Sequence, residues 1–106
     1  MKVAVFGAKG RMGAEVCRAV EAADDLELGA ALDAGDDRTP AASADVVVDF
    51  TVPDAVMGNL TWCAEHGVHA VVGTTGFTPA MLEEVRALFD GTDAHAVVAA
   101  NFSIGA

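Results

Sequence analysis

Residues 3–13, Val3-Ala4-Val5-Phe6-Gly7-Ala8-Lys9-Gly10-Arg11-Met12-Gly13, leave the chain few ways to fold. Val3 to Phe6 is a short, continuously apolar run, which reads as a strand buried on both faces. The run stops at Gly7, and a helical pattern begins near Gly10. Strand, glycine turn and helix start make the opening of a βα unit, whose helix N-terminus offers unpaired N–H groups and partial positive charge to an anion. Gly7 lets the chain leave the strand in a tight turn. Gly10 leaves room for a phosphate to approach the backbone, and Gly13 lets the helix lie close to the sheet. The spacing is G-x-x-G-x-x-G rather than the commoner G-x-G-x-x-G. Taken alone, the turn is therefore compatible with a connection that binds nothing.

Asp33 sharpens the reading. It follows Gly13 by about 20 residues, at the end of the next apolar run, where an acidic side chain accepts hydrogen bonds from ribose hydroxyls.

The rest of the chain repeats the opening. A first helix is expected over 10–23, with Met12, Val16, Ala19 and Val20 as its apolar stripe and Asp24-Asp25 at its end. Strands are expected over 26–32, 46–50, 68–72 and 95–100. The segment from Asp33 to about Ser43 is polar, alanine-rich and aperiodic, so the helix a doubly wound fold often carries there looks short or irregular. Thr51 is placed to cap a second helix, with Pro53 and Asp54 in its first turn. Val56, Leu60 and Cys63 face inward and Gly67 is the stop. Thr78-Pro79 opens a third helix carrying Met81, Leu82, Val85, Leu88 and Phe89, ended by Gly91.

Apolar strands alternating with helices predict an α/β fold, a Rossmann-like doubly wound parallel sheet of about five strands flanked by helices. The expected strand order is 3-2-1-4-5, with the switch point beside the first strand. On that fold the polar or glycine-rich stretches at 7–13, 33, 50–51, 73–75 and 99–102 share one sheet edge, although no two are neighbours in sequence. Ligands of such sheets bind beyond the strand C-termini. This convergence points to a dinucleotide site.

At 106 residues and 53% hydrophobic content, the chain is one domain with enough apolar material for a core. No apolar run approaches the roughly 20 residues of a membrane span. The N-terminus lacks the apolar region of a signal peptide, so a cytoplasmic protein is expected. A net charge of −10 argues against nucleic acid. Four of the six basic residues, Lys2, Lys9, Arg11 and Arg18, nevertheless lie in the first 18, two of them inside the glycine turn. That placement suits a small anionic ligand. Cys17 and Cys63 fall inside predicted helices and read as buried free thiols. His66, His69 and His95 show no ligand spacing, and no metal is expected.

Asp33, reinforced by Asp36 and Asp37, favours a free 2′-hydroxyl and hence NAD. Lys9 and Arg11 offset that bias toward NADP. Use of both NADH and NADPH is expected.

Four segments resemble the dihydrodipicolinate reductase (4-hydroxy-tetrahydrodipicolinate reductase) family of the diaminopimelate and lysine pathway. They are the stretch from Val3 to Gly13, then Val48-Asp49-Phe50-Thr51 with Pro53, then Val72-Gly73-Thr74-Thr75-Gly76-Phe77, and then Ala100-Asn101-Phe102-Ser103-Ile104-Gly105. The last two are far more specific than the glycine turn. The resemblance implies an NAD(P)H-dependent reductase of a cyclic dicarboxylate. It implies that Gly7, Ala8, Lys9, Gly10, Arg11 and Met12 hold the pyrophosphate, that Asp33 holds the adenosine ribose, and that Lys9 and Arg11 also serve a 2′-phosphate. Phe50, Thr51, Gly73, Thr74, Thr75, Ala99, Ala100, Asn101 and Phe102 would line the nicotinamide half. The family's second domain binds substrate, carries the general acid and builds a homotetramer. Nothing in this sequence matches it, so residues 1–106 read as the cofactor-binding half, with no catalytic residue of their own. Other Rossmann dehydrogenases, of homoserine or diaminopimelate type, and a non-catalytic dinucleotide-sensing module are the alternatives.

Overall fold

The computed structural model describes residues 1–33, 36–73 and 76–98. Five strands alternate with three helices: β1 (Lys2–Phe6), α1 (Arg11–Ala22), β2 (Glu27–Leu32), β3 (Val46–Asp49), α2 (Pro53–His66), β4 (His69–Val72), α3 (Pro79–Phe89) and β5 (Ala96–Val98). All pairings are parallel, and helices cover both faces, as expected of a doubly wound sheet.

The strand order is β2-β1-β3-β4-β5, which corrects the expected 3-2-1-4-5. β3 lies beside β1, not outside β2. Two physical reasons account for this. β2 is Glu-Leu-Gly-Ala-Ala-Leu, with Glu27, Gly29 and Ala31 exposed, a pattern that suits an edge. β3 is Val-Val-Val-Asp, with Val47 and Asp49 fully buried, a pattern that requires neighbours on both sides. Among the described residues the connection between them carries one 3-10 turn, Thr39–Ala41, in place of a crossover helix.

The hand of the crossovers places the layers. The chain steps outward from β1 to β2 through α1, then reverses past β1 to β3 and continues to β4 and β5. With one hand fixed, connections running in opposite directions must lie on opposite faces. Val3, Val5 and Val20 accordingly form a small core under α1, packed by Val16, Cys17, Val46 and Val48. Ala4, Phe6, Val47, Val56, Leu60, Cys63, Val72, Val85 and Phe89 form the larger core under α2 and α3, and it includes Ala41 and Ala44 of the returning connection.

The helices follow their stripes, with adjustments. Val56, Leu60 and Cys63 of α2 are fully buried, as their spacing requires. In α1 the buried positions are Gly13 and Val20, while Met12 and Ala19 are exposed. The inward stripe is therefore Gly13, Val16, Cys17 and Val20. Leu82 of α3 is also outward, at 44% exposure. Gly67 ends α2 in the left-handed conformation, donating to the carbonyl of Ala64. Thr78 caps α3 by accepting from the Met81 N–H at 3.1 Å. Thr51 does not cap α2. Val52 holds that position without a side-chain bond, and the Thr51 hydroxyl donates to Asp49 instead.

Candidate functional site

The C-terminal ends of β1, β2 and β3 meet at the point where the chain reverses direction across the sheet. Gly7 leaves β1 with φ of 84°, a conformation that disfavours any side chain. Its N–H and that of Ala8 both donate to the Leu32 carbonyl, at 2.8 and 3.0 Å, tying the turn to the end of β2. The Phe50 N–H donates to the Phe6 carbonyl at 2.9 Å and ties β3 to the same point. A Cβ on Gly7 would lie 2.8 Å from the Phe50 carbonyl oxygen.

Gly13 fixes how closely α1 approaches. A Cβ there would overlap the carbonyl of Gly7, so the first turn of the helix rests directly on the turn that precedes it. Gly10 stands at the N-cap with no side-chain cap, and no acidic residue occupies the first turn. A Cβ on Gly10 would meet only the Gly7 oxygen, at 3.4 Å. The first N–H groups of α1 thus open onto an uncrowded cradle that carries the exposed Lys9 and Arg11. Donors, helix dipole and cations together suit a phosphate.

Asp33 closes the other side. Its Oδ2 accepts from the Lys9 N–H at 3.2 Å, so the carboxylate is aimed at the glycine turn. The Asp33 N–H donates to Asp36 Oδ2 at 2.8 Å. Beneath the loop is a cavity of about 140 Å³ lined by Phe6, Gly7, Leu32, Asp33, Asp36, Arg38, Thr51, Ala55 and Asn59. It is well below the roughly 300 Å³ at which drug-sized sites begin.

Two features were not anticipated by the sequence reading. Asp49, at the end of β3, is fully buried, and Asn59 of α2 is 7% exposed. Asp49 Oδ1 accepts from the Thr51 N–H at 2.8 Å and from the Thr51 hydroxyl at 2.6 Å. Asp49 Oδ2 accepts from the Asn59 amide at 2.9 Å. Asn59 Oδ1 in turn accepts from Arg38 Nε at 2.9 Å. A signal for Asn59 is present in the sequence. It lies between Val56 and Cys63 on the inward stripe of α2, where a polar side chain needs a buried partner.

Gly73 follows β4, and its N–H donates to the Asp49 carbonyl at 2.9 Å. A Cβ on Gly73 would overlap the Phe50 ring, so these two candidates are in contact. Of the expected site residues, Gly7, Ala8, Lys9, Gly10, Arg11, Met12, Asp33, Phe50, Thr51 and Gly73 are described and lie at the strand C-termini or the start of α1. Thr74, Thr75, Ala99, Ala100, Asn101 and Phe102 lie outside the described residues.

Burial pushes the Cys63 thiol up to about 12, and raises Cys17 less far, with Glu21 adding to the effect there. His69 and His95 stack with ring centroids 5.6 Å apart at the opposite ends of the strands, and His69 Nδ1 accepts from the His95 N–H at 3.0 Å. Among the described residues no group of three His, Cys, Asp or Glu side chains could hold a metal ion, and no helix is long and apolar enough to cross a membrane.

The chain is 58% identical to the 4-hydroxy-tetrahydrodipicolinate reductase of Cutibacterium acnes over 107 aligned positions, covering 100% of the chain and 44% of that protein. It is 62% identical to the reductase of the same name from Thermobifida fusca, with the same coverage. The chain thus spans less than half the length of the curated relatives it matches. Among solved structures it resembles the dipicolinate-bound dihydrodipicolinate reductase from Paenisporosarcina sp. TG-14, with a TM-score of 0.83 at 26% identity, over 99% of this chain and 49% of that one. The sequence profile of the family described as "Dihydrodipicolinate reductase, N-terminus" matches residues 1–102, and the chain belongs to that family.

Proposed function

We propose that this chain is the cofactor-binding half of a 4-hydroxy-tetrahydrodipicolinate reductase that uses both NADH and NADPH. The observation that carries the reading is the cradle at the chain reversal. The Gly7 turn, the uncapped start of α1 and the Asp33 carboxylate converge there, and a Cβ at Gly7 or Gly13 would collide with backbone.

In this reading Gly7, Ala8, Gly10 and Met12 hold the pyrophosphate. The Met12 N–H and the dipole at the start of α1 face it. Gly7, Ala8 and Gly10, whose N–H groups donate to the Leu32 and Gly7 carbonyls, shape the turn that receives it. Asp33 accepts from the adenosine ribose, and Lys9 and Arg11 supply positive charge for a 2′-phosphate. Phe50, Thr51 and Gly73, with Thr74, Thr75, Ala99, Ala100, Asn101 and Phe102, line the nicotinamide half. When bound, the dinucleotide supplies a hydride. The residues of this chain orient it by fixing which face of the nicotinamide is covered by the β3 and β4 ends. Binding of the cyclic dicarboxylate and its protonation belong to a second domain, and the complete protein is a cytoplasmic homotetramer.

The test is a fluorescence titration of the purified chain with NADH and with NADPH. Binding of both within a factor of about ten, or 1.4 kcal/mol, is the expected result. A folded chain that binds neither overturns the reading. A hundredfold preference, about 2.7 kcal/mol, overturns dual use alone.

A further inference from the structure

Arg38 occupies an unusual position for an exposed arginine. It is the outermost member of a hydrogen-bonded series that starts inside the sheet, at fully buried Asp49, and passes through Asn59. The series fixes the amide of Asn59. Its Nδ2 must donate to the Asp49 carboxylate, so its Oδ1 faces Arg38 Nε. The guanidinium lies along α2 beside Gly58, with Nη2 3.6 Å from where a Cβ on that residue would stand. Among the described residues Arg38 makes no ion pair with a carboxylate. The acidic residues of its own loop are turned to local bonds. Asp36 accepts from the Asp33 N–H, and Asp37 accepts from the N–H and hydroxyl of Thr39. Among the described residues Arg38 is thus held through Nε, and it is one of the residues that line the 140 Å³ cavity together with Asp33.

That cavity has the size of one heteroaromatic base rather than of a whole ligand. Its lining combines apolar Phe6, Leu32 and Ala55 with the carboxylate proposed to hold a ribose. A guanidinium stacks on aromatic faces and makes charge-assisted bonds to phosphate. We propose that Arg38 is a specificity-determining residue of the adenosine end: its guanidinium, fixed by Asn59, covers the purine and meets a phosphate on the 2′-oxygen. The inference rests on the dinucleotide reading above and deepens it. Asp33 by itself would exclude a 2′-phosphate. A cation held rigidly across the same pocket supplies the compensating attraction, and does so from a fixed position, unlike the exposed Lys9 and Arg11.

The experiment uses the full-length protein and two probes of the adenosine half, ADP-ribose and 2′-phospho-ADP-ribose, followed by calorimetry. Arg38→Ala is expected to weaken the 2′-phosphorylated probe about twentyfold and ADP-ribose about threefold, with the melting temperature lowered by only a few degrees through loss of the bond to Asn59. Arg38→Lys is expected to restore the preference between the probes but not the affinity for ADP-ribose, because a lysine keeps the charge without the planar face. Equal losses for both probes with a lowered melting temperature would make Arg38 a structural tie and overturn the inference, as would unchanged binding. Wild-type protein that binds neither probe would overturn the dinucleotide reading itself, and the inference with it.

Discussion

The two faces of the sheet are closed by different means. Under α2 and α3 the chain uses bulk: Leu60, Val56, Val47, Val72, Cys63 and Phe89 fill a broad layer. Under α1 it uses closeness: the buried positions are few, and Gly13 lets the helix backbone rest on the Gly7 carbonyl. α1 also covers only part of its face. Beyond β3 the side chains on that side include His69, exposed, Val71, half-buried, and Val97, 58% exposed. The face that positions the phosphate cradle is thus the thinner of the two. Its precision comes from backbone contact, while the thicker face supplies most of the apolar burial.

The sharpest way to break this contrast is Gly13→Ala. The added methyl overlaps backbone that cannot move without displacing the turn. A loss of about 4 kcal/mol in urea unfolding is expected, together with loss of dinucleotide binding. Leu60→Ala is the counterpart on the other face. It leaves a cavity and is expected to cost about 3 kcal/mol while the dinucleotide affinity stays within a factor of about two. A Leu60→Ala that abolished binding at full folding would show that the two faces are not independent.

The cysteines report the same difference without mutation, since Cys17 lies under α1 and Cys63 under α2. In native protein at pH 8, Cys17 is expected to react with a disulfide reagent about a hundredfold faster than Cys63, equivalent to about 2.7 kcal/mol. The pH dependence has a definite sign. The folded state keeps Cys63 protonated up to about 12, above the ordinary thiol range near 9. Its contribution to stability is therefore complete below that range and lost as pH rises from about 9 toward 12. Equal reaction rates would show the larger core to be open. The smallest effect belongs to Val97→Thr, which should stay within about 0.5 kcal/mol. A cost above 1 kcal/mol would mean that something covers that face.

Much of this was legible in the sequence because it is written locally. The β1 run, the Gly7 turn, the Val56-Leu60-Cys63 stripe and the Thr78 cap each depend on residues within one or two turns of each other. The strand order was not, because it depends on where a connection without a helix goes. The cue was present in the contrast between Glu27-Leu28-Gly29-Ala30 and Val46-Val47-Val48, an edge composition against an interior one. The Asp49–Asn59–Arg38 series was also hidden, since its members are 10 and 21 positions apart and meet only after β3 has been inserted beside β1. The cap expected at Thr51 failed by one position: Val52 stands at the N-cap, and the Thr51 hydroxyl donates to Asp49 and accepts from Asn59.

The insertion of β3 beside β1 also sets a timetable. Val3 must find Leu28 on one side and Val46 on the other, so the first strand of the chain is paired on both sides only once the long connection has looped back. Closing the longer of these two loops costs only about 0.5 kcal/mol more than closing the shorter. The order of events is therefore governed less by entropy than by which strand sequence is the stickier, and that is the triple valine. A pulse-labelling experiment should find the amides of β1 and β3 protected together, ahead of β2, with the phosphate cradle assembling last although its residues come first in the chain.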